Sequence, residues 1–180
     1  MYWQVYLHKT SVAYEKMLIS TLLRAKELAS RGIDLFASPA LKFFLYNDIS
    51  REAFYNNPEC LENFIQLDDN DIWTALKVWS RHSDKVLSTL SASMINRNIF
   101  KVEISTEPIS EERKKELTLQ ISEQLNIPLS EARYFISTPS IEKNMYDEQM
   151  TVLTSSTTTA ASRILPKHRI CSISLFCPRK

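Results

Sequence analysis

Apolar positions recur at helical spacing from residue 2 to residue 31, and Gly32 follows where a left-handed helix cap is usual. On that helix Tyr6, Leu7, Tyr14, Met17, Leu18, Ala25 and Leu28 share one broad face, while Val5, Val12, Ile19 and Leu23 form a second, narrower stripe. A helix that is apolar on two sides packs against two neighbours. Shorter helices are predicted from Pro39 to Tyr46, with Ser38 as N-cap, from Ser50 to Tyr55 and from Pro58 to Ile65. Asp69 or Asn70 caps a helix reaching about His82, with Ile72, Trp73, Leu76, Val78 and Trp79 as its apolar positions. Ser83 or Asp84 starts another, through Val86, Leu87, Leu90 and Met94 to about Asn96.

After Asn98 the period changes. Phe100 to Ile104 alternates apolar and polar residues and predicts a half-buried strand. A charged amphipathic helix runs from Ser110 to about Leu125 and stops before Pro128. Tyr134 to Ser137, Met150 to Leu153 and Arg169 to Phe176 read as further strands, and the hydroxyl run Thr154 to Thr159 as a loop. The expected fold is therefore α+β: a helical region over 1–98, then a small subdomain over 99–180 with a βαβ opening and about four strands.

Charge narrows the functional classes. Lys and Arg total 22 against 21 Asp and Glu, a formal net charge of +1. That balance argues against a general nucleic-acid or membrane-surface binder. No apolar run is long enough to span a membrane, and a cytoplasmic location is expected. Cys171 and Cys177, six residues apart in a strand, lie roughly 20 Å apart and cannot pair; with Cys60 they read as reduced thiols. A single glycine excludes the glycine-rich phosphate loops, so any phosphate here is held by side chains.

Two clusters offer such side chains. Tyr6, His8 and Lys9 lie together near the start of the first helix. They supply a hydroxyl, an imidazole and an ammonium, all able to meet an oxyanion. Arg97 and Lys101, within Asn96-Arg-Asn-Ile-Phe-Lys101, sit where helix gives way to strand. Both clusters also fit solvated or capping roles. His8, His82 and His168 have no partners at metal-ligand spacing. Asp68, Asp69 and Asp71 are explained by helix capping, and no nucleophile stands beside a base.

Val5-Tyr-Leu-His-Lys-Thr10 and Asn96-Arg-Asn-Ile-Phe-Lys101 resemble, in order and separation, two elements of the HD-domain deoxynucleotide triphosphohydrolases. Ile170 to Arg179 is similar to the closing strand of bacterial members. The resemblance implies that Tyr6 lines a substrate triphosphate pocket and that His8, Lys9 and Arg97 approach a regulatory nucleotide between subunits. It also implies a divalent metal in a catalytic core, but the family's His, His-Asp and Asp ligands have no counterpart in this sequence. Tyr2 stands where a family member has a substrate-facing histidine.

The chain is thus expected to be inactive alone. It reads as a C-terminal regulatory and oligomerisation fragment, with a nucleotide, a second copy or the HD core as partner. The alternative is an interaction or scaffold module that keeps the fold without nucleotide chemistry.

Overall fold

The structure, a computed structural model, describes residues 9–105, 110–137, 140–141 and 170–175. In order the elements are α1 (Lys9–Ser30), α2 (Pro39–Tyr46), α3 (Arg51–Asn56), α4 (Pro58–Gln66), α5 (Asp69–Trp79) and α6 (Lys85–Ile95). They continue with β1 (Lys101–Ser105), α7 (Glu111–Leu125), α8 (Leu129–Ala132), a 3-10 turn (Arg133–Phe135), β2 (Ile136–Ser137), β3 (Ser140–Ile141) and β4 (Ile170–Leu175).

This composition corrects the α+β expectation. The described chain is mostly helical, and its strand segments are short, two of them only two residues long. The expected βαβ opening takes a split form: β1 and β2, joined through α7, each run antiparallel to β4, which lies between them with Leu175 opposite both Lys101 and Ile136. The strand expected at Tyr134–Ser137 is half formed: Ile136 and Ser137 are β2, whereas Tyr134 and Phe135 belong to the 3-10 turn, buried against the helices, where packing overrides their strand-forming composition. The strand expected at Met150–Leu153 and the hydroxyl run at 154–159 lie outside the described residues.

Capping explains where the helices begin. Ser38 accepts the Leu41 N–H ahead of Pro39, Asp84 accepts the Leu87 N–H, and Ser110 accepts the Arg113 N–H. For α5 the cap is Asp68, one residue before the expected position, and Asp71 answers it by accepting the Asp68 N–H. That helix also ends at Trp79 rather than His82.

The core lies where α1 packs along α6 and α5 packs on α6. Ala13, Met17, Ala25 and Leu28 of α1 meet Leu76 and Trp79 of α5 and Leu87, Leu90 and Met94 of α6 within one apolar cluster. Of the second stripe of α1, Val5 lies outside the described residues and the other three divide. Ile19 and Leu23 are exposed, but Val12 is 8% exposed and belongs to the interior. Trp79 is 1% exposed and donates its indole N–H to the Phe36 carbonyl at 2.9 Å, whereas Trp73 is 41% exposed.

Candidate phosphate-binding site

Three helices end in one backbone pattern. After α1 the Gly32 N–H bonds the Ala29 carbonyl and the Ile33 N–H bonds that of Leu28. After α7, Asn126 and Ile127 bond Glu123 and Ser122 in the same way, and after α6, Arg97 and Asn98 bond Met94 and Ser93. Each is a Schellman closure that needs one residue with positive φ. Gly32 takes it at 81°, Asn126 at 47° and Arg97 at 57°. Glycine and asparagine are the residues that tolerate this region, whereas an arginine there carries a strain of about 1 kcal/mol. The strain holds a guanidinium at the α6–β1 junction, and that side chain is exposed.

The junction abuts the N-terminal half of α1. The Tyr14 hydroxyl donates to the Met94 carbonyl at 3.2 Å, the Phe100 N–H approaches the Met17 sulfur at 3.4 Å, and the Tyr14 ring lies 6.3 Å from that of Trp73. Burial raises the Tyr14 pKa, and the Arg97 charge opposes that shift. Among the described residues the Arg97 side chain has no hydrogen bond or ion pair. Lys9 begins α1, five residues before Tyr14, so backbone geometry sets it roughly 7.5 Å further along the helix axis. Tyr6 and His8 lie outside the described residues; of the second cluster Arg97 is described at the junction and Lys101 as the exposed first residue of β1, opposite Leu175.

A second ionic cluster escaped the sequence reading. Arg24, 2% exposed, donates to Asp84 through Nε at 3.2 Å and Nη2 at 2.6 Å, to Glu131 at 2.7 Å and to Glu27 at 3.1 Å. The Tyr134 hydroxyl donates to Glu27, and the guanidinium lies 5.6 Å from the Tyr134 ring centre. Burial disfavours the Arg24 charge, but its bonds to Asp84 and Glu131 outweigh that and raise its pKa. Burial would likewise raise the Asp84 pKa, yet Arg24 and the Leu87 N–H hold it below the ordinary value. Glu27 is lowered chiefly by the Tyr134 hydroxyl. This cluster ties α1 to the α6 cap and to α8. Its signal in the sequence is a charged residue on the same helical face as Met17 and Leu28. Beside it a groove of about 560 Å³ is lined by Lys16, Ile19, Leu23, Arg133 and Tyr134 among others.

Among the described residues no group of three or more His, Cys, Asp or Glu side chains is placed to hold a metal ion. Nor is any described helix long and apolar enough to cross a membrane.

The chain is similar to a phosphohydrolase of known structure from Bacteroides thetaiotaomicron, at 65% identity over 97% of this chain and 47% of that one, with a TM-score of 0.87. It is also 31% identical over 100 residues to the uncharacterized protein YwfO of Bacillus subtilis, a match covering 56% of this chain and 21% of YwfO. No family model matches the sequence. The chain thus spans less than half the length of either relative.

Proposed function

We propose that this chain is the regulatory and oligomerisation region of a metal-dependent phosphohydrolase of the HD superfamily whose substrate is a (deoxy)nucleoside triphosphate. The observation that carries the reading is the similarity, over nearly the whole chain, to part of a phosphohydrolase. Arg97 supports the finer assignment, because a strained, exposed guanidinium at a helix–strand junction costs stability without serving the core. A planar, permanently charged fork suits a phosphate better than a lysine ammonium does. Lys9, at the start of the adjoining helix, and Tyr6 and His8 before it complete the proposed phosphate contacts.

The hydrolytic step belongs to a divalent ion that would polarise phosphate and activate water. No cluster among the described residues fits that ion, so this proposal assigns its ligands to other residues. What the chain's own side chains do here is bind and orient phosphate. The exposed Ile19 and Leu23 on α1 give an apolar stripe for the catalytic core or a neighbouring subunit.

Calorimetric titration with deoxyguanosine and guanosine triphosphates, with and without magnesium, tests the reading. Micromolar binding that is lost in Arg97→Ala is expected. Absence of heat at any nucleotide concentration, with the protein folded, would remove nucleotide binding from the function of this chain.

A further inference from the structure

Between residues 48 and 71 the chain carries Asp48, Glu52, Glu59, Glu62, Asp68, Asp69 and Asp71 against a single cation, Arg51, although its overall charge is +1. The same stretch exposes apolar bulk. Tyr55 is 74% exposed, Ile65 73%, Phe64 56% and Leu61 51%. Leu61, Phe64 and Ile65 stand three and four residues apart on α4 and form one stripe facing solvent. Next to it, Phe54 and Phe64 meet edge to face at 5.6 Å, Phe44 and Phe64 at 6.5 Å, and a cleft of about 450 Å³ opens between α2, α3 and α4. Helical spacing puts Glu52 beside Tyr55 and Glu62 beside Ile65, so the apolar surface is rimmed by carboxylates. Among the described residues neither Glu52, Glu59 nor Glu62 has an ion-pair partner.

We propose that this α3–α4 face docks a basic, amphipathic segment of another protein. That segment sets a large apolar side chain into the Phe44–Phe54–Phe64 cleft and places lysine or arginine against Glu52 and Glu62. A patch of this kind marks an interaction site, and its charge selects the partner. A second copy meeting it through a two-fold axis would set carboxylates against carboxylates, and an anionic lipid or nucleic-acid surface would be repelled. Arg51, on the cleft lining, marks the one position where the partner carries no cation.

The test is fluorescence anisotropy of the full chain with a labelled lysine- and leucine-rich amphipathic peptide carrying one tryptophan, against the same peptide with glutamate in place of lysine. The lysine peptide is expected to bind at least roughly tenfold more tightly, with affinity falling as salt rises. The double variant Glu52→Lys, Glu62→Lys should reverse the preference. Ile65→Ser and Tyr55→Ser, both at highly exposed positions, should weaken binding at unchanged melting temperature. Equal affinity for the two peptides, or binding indifferent to Ile65→Ser and Tyr55→Ser, would overturn the proposal. So would self-association that those two substitutions abolish while neither peptide binds. None of these readouts involves nucleotide, so the result is independent of the phosphate site.

Discussion

Two arginines on adjoining parts of the fold, Arg24 and Arg97, show opposite uses of one side chain. Arg24 is buried, meets three carboxylates and joins α1, α6 and α8. Arg97 is exposed, holds a backbone conformation that arginine disfavours, and makes no side-chain hydrogen bond or ion pair among the described residues, although its charge acts on Tyr14. The first is explained entirely by the fold. The second costs the fold something and adds nothing to core packing, and that imbalance is what the proposed phosphate contact would explain. Charge alone does not separate them; burial, partners and backbone strain do.

The contrast can be broken most forcefully at Arg24. Arg24→Ala leaves Asp84 and Glu131 facing each other without their cation, while Glu27 keeps Arg31, and a loss of roughly 3–5 kcal/mol is expected in denaturant unfolding. A loss near zero would mean that the cluster does not join the three helices.

Within α5 a parallel contrast holds between two tryptophans. Trp79→Ala should cost about 3–5 kcal/mol, since it empties a buried site and orphans the Phe36 carbonyl. Trp73→Ala, at a 41% exposed position, should cost less than half as much. Equal losses would show the two rings to be equally buried in solution.

Acid supplies a gentler probe of the Arg24 side. Asp84 and Glu27 have pKa values depressed in the folded state, so their contribution is fully present above the ordinary carboxylate range near ~4. It declines as pH falls through the lower folded-state values. Unfolding followed between neutral and strongly acidic pH should show this decline in the natural chain and a shallower one in Asp84→Asn. Identical profiles would remove Asp84 from the account.

How far the sequence reveals this depends on which physical signal dominates locally. Helices were legible because spacing and caps agree, as at Ser38 with Pro39, Asp84 and Ser110. The four-stranded subdomain was over-read. Tyr134 and Phe135 have strand-like composition, yet burial turns them into a 3-10 segment beside Arg24. Val12 shares the narrower stripe with Ile19 and Leu23, yet it alone of the three is buried, because periodicity shows that a face is apolar, not what covers it. The Arg24 cluster was visible only as a charge on an apolar face, since its partners Asp84 and Glu131 lie 60 and 107 residues away. At the α6 closure either flanking asparagine, Asn96 or Asn98, suits positive φ better than Arg97, and only the hydrogen-bond register puts the arginine there.

The smallest stability change discriminates best. Arg97→Gly removes the strain and the guanidinium together, so the fold should gain about 1 kcal/mol while the proposed phosphate contact is lost. The most direct measurement compares thermal melting of the natural chain and Arg97→Gly, each with and without deoxyguanosine triphosphate and magnesium. A variant that melts higher without nucleotide and no longer responds to it would bear out the account. A variant that melts lower, or that nucleotide stabilises as much as it does the natural chain, would contradict it.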